Sequence, residues 1–146
     1  MATSRKPSAS VLVRDQAGRV LLLRRPDNGL WTIPTGGLEK GETATECGIR
    51  ECREETGIEV EIVGLVGVFT SPEHVIVYEK DGRVDEVRQP VNVCLRARVV
   101  GGALTTTAEA SEVRWVDPVD LPGYDIHPAL RRRIDHGIKE TIPHVD

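Results

Sequence analysis

Short apolar segments, separated by glycine, proline and charged residues, occur along most of the chain. Residues 11–13 and 20–23 are apolar and β-prone, and the Gly-containing segment between them predicts a turn. This pair is therefore predicted to form a β-hairpin. The same criteria predict five further extended segments, over 30–33, 58–70, 74–78, 91–100 and 112–116.

One helix is predicted between the first strands and the later ones. Thr43 and Glu46 have the three-residue spacing of a capping box, and Gly57 is placed to end the helix in the left-handed conformation. These signals bound a helix at Ala44–Thr56, preceded by a glycine-rich loop at 35–41. Its core-facing positions are predicted to be Thr45, Ile49, Cys52 and Thr56.

A second helix is predicted near the end of the sequence, over 127–138. Its apolar residues recur at helical spacing, at Ala129, Leu130, Ile134 and Ile138. Pro143 predicts the end of regular structure, with a frayed tail after it. Strands on both sides of a central helix, with another helix after them, predict an α/β fold with a mixed β-sheet between helices.

Composition narrows the class of protein and the partners. The 146 residues suit one domain, 1–146, and the 39% hydrophobic and 29% charged content is that of a globular protein. A net charge of −4 and 3% aromatic residues argue against a nucleic-acid polymer as a partner, because such proteins need basic or repeated stacking surfaces. No apolar run approaches the roughly 20 residues of a membrane span, so we expect no membrane partner.

The cysteines favour a reducing compartment. Cys47, Cys52 and Cys94 are odd in number and irregular in spacing, which fits neither a disulfide framework nor a zinc-binding pair. We expect three buried thiols. Residues 1–10 are polar and lack the apolar segment of a signal peptide. The predicted localisation is cytoplasmic.

Candidate chemistry is concentrated on the first helix. Glu51, Glu54 and Glu55 have i, i+3, i+4 spacing, so they lie on one face, where like charges repel. Divalent cations such as Mg²⁺ or Mn²⁺ would offset this repulsion because they take oxygen ligands. The small residues Cys47 and Gly48 are predicted on the same side, which would let a ligand or another backbone approach. A solvated acidic face remains the alternative interpretation.

The wider spacing resembles a known family. Gly36 is followed after five residues by Glu42, and after seven more by the segment 50–58, which reads Arg-Glu-Cys-Arg-Glu-Glu-Thr-Gly-Ile. This resembles the Nudix box, G-x5-E-x7-R-E-U-x-E-E-x-G-U, where U is a bulky aliphatic residue. Cys52 at an aliphatic position is the one departure, and a mild one, because free cysteine behaves as a small buried hydrophobe.

The flanks of the box extend the resemblance. Residues 31–34 and 114–116 are similar to segments of MutT-like Nudix hydrolases. The family resemblance implies a Nudix-type α/β/α sandwich with a mixed β-sheet, in agreement with the order of strands and helices predicted above. It also implies an enzyme that cleaves a nucleoside diphosphate linked to another group, by attack of water on phosphorus with help from Mg²⁺ or Mn²⁺.

The resemblance implies roles for individual residues. Glu54 and Glu55 are the implied direct metal ligands, with Glu51 as a ligand or base beside them. Arg50 is implied to orient a neighbouring glutamate, with a surface pair to Glu46 as the alternative. Further implied members of the metal site are Gly36, which lets the loop turn tightly, and Thr35, whose carbonyl matches a metal-binding position where family members commonly have glycine.

Five residues are left with open alternatives. Glu42 either supports the metal site or holds the loop. A late-loop carboxylate completes the metal site in many relatives; Glu109 is our choice over Glu112, and either could instead be a solvated loop acid. Arg24 and Arg25 end the second strand, and since strand side chains alternate, one of them is predicted to face substrate phosphates.

The predicted function is divalent-metal-dependent hydrolysis of the pyrophosphate linkage of a nucleotide-type small molecule. Nucleoside triphosphates, oxidised nucleotides and ADP-ribose are equally open as substrates, with Phe69, Tyr78 and Asn92 as candidate partners of the base. The alternative is a weakly catalytic Nudix domain that binds a nucleotide and regulates. Such domains usually lose box carboxylates, whereas all four are present here. A homodimer is left open.

Overall fold

The computed structural model describes residues 2–146, which form two helices and a nine-stranded mixed sheet. The strands are β1 (Ser4–Arg14), β2 (Val20–Arg24), β3 (Trp31–Thr32), β4 (Thr35–Gly37), β5 (Ile58–Phe69), β6 (Ile76–Lys80), β7 (Arg83–Gly102), β8 (Glu112–Val116) and β9 (His144–Val145). The helices are α1 (Ala44–Thr56) and α2 (Pro128–Lys139), and a 3₁₀ turn covers Pro118–Gly123.

The sheet combines parallel and antiparallel pairs. Its main path is β3-β2-β1-β7-β5-β9, with β4 paired to β1, β6 to β7 and β8 to β2. The predicted hairpin is present, since β1 and β2 pair antiparallel with Arg14 opposite Val20. β1 and β7 are parallel from Ser4 opposite Arg88 to Arg14 opposite Arg98. The mixed α/β architecture predicted from the sequence is confirmed.

β1 and β7 extend well beyond the apolar segments that predicted them. The first seven residues of β1 include Ser4, Arg5 and Lys6, which alternation of hydrophobicity does not mark as a strand. They are held by the backbone ladder to β7, which needs no apolar side chain. β4 likewise occupies three residues of the predicted loop because their backbone pairs with β1.

α1 begins and ends as predicted. The Thr43 hydroxyl accepts the Glu46 N–H at 3.1 Å, the Glu46 carboxylate accepts the Thr43 N–H at 3.1 Å, and Gly57 has a φ of 80°. The prediction that Thr45 faces the core is wrong, because it is exposed and the buried face instead includes Cys47.

The helix lies close to the sheet at one glycine. A Cβ added to Gly48 would meet the Val11 side chain at 2.8 Å and that of Leu95 at 3.3 Å. Of the two alternatives predicted for this position, a ligand or another part of the backbone, the room serves the close packing of α1 against β1 and β7.

The two faces of the sheet carry separate cores. On the α1 face Val11, Val13 and Cys52 pack with Ile58. On the α2 face Leu12 packs with a larger set: Val20, Leu22, Trp31, Ile33, Val66, Phe69, Cys94, Val116, Leu121, Ile126 and Ile134. All three cysteines are buried and free, as predicted.

The segment after Pro143 is ordered, so the predicted frayed tail is wrong. β9 pairs parallel with β5, and the Asp146 carboxylate accepts the Thr70 and Ser71 N–H groups at 2.9 and 3.0 Å. His144 stacks on Phe69 with ring centroids 4.7 Å apart. Neither helix in residues 2–146, of 13 and 12 residues, is long and apolar enough to cross a membrane.

Candidate active site

Three carboxylates meet where α1 passes the loop before β8. Glu51 and Glu55 from α1 and Glu109 from the loop each place one oxygen within 4.8 Å of the others. Glu55 is 7% exposed, whereas Glu109 is exposed. Of the two late-loop acids, the structure brings Glu109 to this cluster; Glu112 instead forms ion pairs with Arg24 and Arg114.

The electrostatics of this cluster favour a bound cation. Burial raises the pKa of Glu55 to about 8, opposed by the Thr35 N–H, which donates to its Oε1 at 2.9 Å. Burial also raises the pKa of Glu51, opposed by hydrogen bonding to Arg50. Close, buried carboxylates are costly as anions unless positive charge compensates them. The oxygen donors fit Mg²⁺ or Mn²⁺.

Arg50 connects the box loop to the cluster. Its guanidinium donates to both oxygens of Glu42, at 2.6 and 2.8 Å, to Glu51 at 2.7 Å and to the Gly37 carbonyl at 3.2 Å. The hydrogen bond to Arg50 lowers the pKa of Glu42 to about 2. Glu42 thus contacts Arg50 of α1 and the Glu39 N–H of its own loop, and Arg50 in turn contacts Glu51. The alternative pair of Arg50 with Glu46 is not formed; Glu46 caps the helix.

Glu54 lies at the rim of the site. Its side chain is 50% exposed and contacts Arg50 at 3.2 Å, and it is not one of the three clustered carboxylates. The resemblance to the Nudix box implies that Glu54 is a direct metal ligand. The structure instead places its carboxylate apart from those of Glu51 and Glu55. The i+3 offset turns Glu54 toward solvent, whereas Glu55, one residue on, turns toward β4.

β4 lies directly against the carboxylates. A Cβ on Gly36 would overlap the Glu51 carboxylate, so only glycine leaves room for that group. Thr35 donates its N–H to Glu55 and also lines a neighbouring cavity. Thr35 and Gly36 therefore lie between the carboxylate cluster and the cavity.

That cavity has a volume of about 490 Å³. Its charged lining is mainly cationic: Lys6, Arg25, Arg88 and Arg133 face a single acid, Asp27. This local excess of positive charge occurs in a chain with a net charge of −4. A concave, cationic surface beside a candidate metal site concentrates polyanions such as nucleotide phosphates.

The structure separates the two candidate arginines. Arg25 lines the cavity and forms an ion pair with Asp27 at 3.0 Å; this hydrogen bond and the charge of Glu55 both raise its pKa. Arg24 points away, with its Nη1 3.2 Å from Glu112. Of the two, Arg25, which directly follows the last residue of β2, is the one that lines the cavity.

The candidate base partners fall in different places. Tyr78 lines the cavity beneath the Arg88 guanidinium, which lies 4.4 Å from its ring centroid. Asn92 also lines the cavity, but its side-chain amide is hydrogen-bonded to the hydroxyl groups of Ser8 and Ser10. Phe69 packs in the core instead.

Sequence reasoning missed Lys6, Arg88, His74 and Arg133, which all line the cavity. Lys6 comes from the polar start of β1 and lies beside Gly37. For Arg133 the sequence does contain a signal. It lies three residues after Leu130, on the side of the helix that faces the sheet, so its side chain is predicted to be buried. An arginine at such a position marks a buried charge that needs an explanation.

Comparison with known proteins places this geometry in context. The sequence model of the NUDIX domain matches residues 4–140. A MutT-like protein from Streptomyces ambofaciens is 37% identical over 113 residues, which cover 77% of this chain and 64% of that protein, less than two thirds of its length. An RNA pyrophosphohydrolase from Novosphingobium aromaticivorans is 30% identical over 144 residues, which cover 88% of this chain and 86% of that protein.

A solved structure shows the same fold. An ADP-ribose pyrophosphatase from Streptococcus suis matches with a TM-score of 0.73, covering 96% of each chain at 16% identity. At this identity the likeness concerns the fold alone.

Proposed function

Because the chain belongs to the Nudix family of hydrolases, we propose that it cleaves the pyrophosphate linkage of a nucleotide with the help of Mg²⁺ or Mn²⁺. The observation that carries the proposal is the position of Thr35. Its N–H donates to the buried carboxylate of Glu55, and the same residue lines the cationic cavity. A polyanion in that cavity has its phosphates beside the candidate metal ligands.

The metal-binding residues in this proposal are Glu51, Glu55 and Glu109, with Glu54 at the rim and the backbone of Thr35 and Gly36 beside them. The bound cation supplies positive charge to the phosphates and lowers the pKa of water. In this proposal Glu51, held by Arg50 at 2.7 Å, either binds the metal or accepts a proton from the attacking water.

The remaining residues bind and orient the substrate. Arg25 and Lys6 donate to phosphate oxygens from the cavity wall, where a guanidinium fork matches their geometry. Trp31, which lines the cavity and is 8% exposed, supplies an apolar wall. Positioning and electrostatic stabilisation are the main contributions that a protein makes to phosphoryl transfer.

The substrate class remains a nucleoside diphosphate derivative. One relative is named a MutT-like protein and another an RNA pyrophosphohydrolase, so relatives do not share one named substrate. We favour a small nucleotide over an RNA end, because the cavity of about 490 Å³ is of a size for one nucleotide.

The test is a phosphate-release screen with Mg²⁺ and with Mn²⁺ over nucleoside triphosphates, oxidised nucleotides, ADP-ribose and dinucleoside polyphosphates. We expect turnover that stops in excess EDTA and falls by orders of magnitude in Glu55→Gln. Glu61→Gln, at an exposed residue paired with Arg98, is the matched control and should retain wild-type turnover. Binding of nucleotides without turnover would favour the regulatory alternative, and turnover undiminished by EDTA would overturn the metal site.

A further inference from the structure

Arg133 is a buried cation without a partner. It lies in the middle of α2 and is 3% exposed. Its Nε is fully enclosed, and no group among residues 2–146 accepts a hydrogen bond from this atom. Its neighbours differ: Arg131 donates to the carbonyls of Leu121 and Tyr124, and Arg132 pairs with Asp146 at 3.2 Å.

This arrangement is costly unless something else compensates it. Burial lowers the pKa of Arg133, and the ring of Phe69, with its centroid 5.6 Å from the guanidinium carbon, supplies only a cation–π contact. Asp146 is already engaged by His144, Arg132 and two backbone N–H groups. A buried cation without an ion-pair partner costs free energy, and Arg133 lines the cavity, so acceptors on a ligand bound there would compensate it.

The surroundings of Arg133 suit a flat, partly apolar group. It lines the cavity that reaches β4, together with Trp31, Leu130, His74 and His127. The two imidazole rings lie 4.9 Å apart, centroid to centroid. If the phosphates lie at the β4 end, as in the proposed function on which this inference rests, the base of the nucleotide reaches toward Arg133.

We propose that Arg133 donates hydrogen bonds to the base of the substrate and selects bases whose edge carries adjacent acceptors, namely 6-oxopurines over 6-aminopurines. The guanidinium has only donors. A 6-oxopurine offers the acceptors O6 and N7 side by side, whereas adenine pairs the N7 acceptor with an N6 amino donor that the guanidinium cannot bind. Arg133 is therefore a specificity-determining residue.

The test compares inosine triphosphate with ATP, which share sugar and phosphates and differ in the base at positions 6 and 1. For the wild type we expect kcat/KM to favour inosine triphosphate by about 5-fold to 150-fold, the range for a bidentate arginine contact. Arg133→Met should abolish the preference, chiefly through a higher KM for inosine triphosphate. Arg132→Met, at the exposed neighbour on the same helix, should retain it.

A binding experiment separates this inference from the proposed function. The α,β-methylene analogues of both nucleotides are titrated calorimetrically with Mg²⁺ into wild type, Arg133→Met and Arg133→Lys. Tighter binding of the inosine analogue, lost in Arg133→Met, supports the role of Arg133 even if no nucleotide is hydrolysed.

Two results would overturn the role of Arg133: equal binding of the two analogues by the wild type, or a preference that survives in Arg133→Met. Thermal unfolding checks that the variants fold. Arg133→Lys retains the charge and loses the fork, so it also reports on selectivity should the methionine variant not fold.

Discussion

The carboxylate of Glu51 occupies the space in which a side chain at Gly36 would begin. β4 and α1 can approach this closely because Gly36 has no Cβ, and Arg50 then fixes Glu51 from the other side at 2.7 Å. The glycine and the arginine together determine where this carboxylate can lie.

Gly36→Ala is therefore expected to displace Glu51 and to lower kcat by about 100-fold, since catalysis depends on the placement of this group. Gly101→Ala is the matched control, because its added Cβ makes only an ordinary contact with the Glu59 Cβ, at 3.9 Å. Steady-state kinetics on the best substrate, with melting temperatures of both variants, provide the measurement. Comparable turnover in the two variants would show that the position of Glu51 is unimportant.

The two strand-end arginines should differ in their effect on binding. Arg25→Ala is expected to raise KM about tenfold with little change in kcat, because the phosphate is already charged in the ground state. Arg24→Ala should leave KM within about twofold of wild type, since its pair with Glu112 is exposed. Kinetics of the single variants decide the matter, and equal effects would remove Arg25 from the phosphate site.

Glu55 should make the metal-free protein less stable as pH rises. Its pKa is about 8 in the folded protein against an ordinary value of 4.5, so the folded state binds this proton more tightly than the unfolded chain. The free energy of unfolding should therefore fall between about pH 4.5 and pH 8.

Glu55→Gln should remove this part of the pH dependence and be more stable than wild type at pH 8. The measurement is urea unfolding in EDTA at pH 5.5 and pH 8, with Glu61→Gln as a control at an exposed residue. Adding Mn²⁺ at pH 8 should stabilise the wild type more than Glu55→Gln. A parallel pH dependence in all three proteins would contradict the assigned pKa.

The attachment of β9 should weaken in acid. The pKa of Asp146 is lowered to about 2, first by its hydrogen bond with His144 and further by the N–H groups of Thr70 and Ser71 and the charge of Arg132. A lowered pKa stabilises the fold above the ordinary value of 3.8, and this contribution is lost as pH falls toward 2.

Asp146→Asn should therefore destabilise the protein at pH 6 and have a smaller effect at pH 3. Urea unfolding at the two pH values, with Asp120→Asn as a control at an exposed acid, provides the comparison. An effect of the same size at both pH values would exclude the carboxylate charge as its cause.

Local signals in the sequence determined α1, the family and the identity of most candidate site residues. The capping box at Thr43 and Glu46 and the left-handed Gly57 act within one turn of the helix, so the sequence is sufficient to place them. The acidic face follows from the helical period, which places Glu51 and Glu55 on the same side of α1 independently of how the strands pair.

Long-range backbone pairing and packing decided the rest. The polar start of β1, the short β4 and the terminal β9 exist because their backbones pair with distant strands, which the hydrophobic pattern of each segment does not encode. The tertiary structure brought Glu109, the late-loop acid chosen from the sequence, to the carboxylate cluster, and it alone separated Arg25 from Arg24 and enclosed the Nε of Arg133 without an acceptor. Each of these depends on which side chains from separate elements come within a few ångströms of each other, and sequence spacing does not fix such distances.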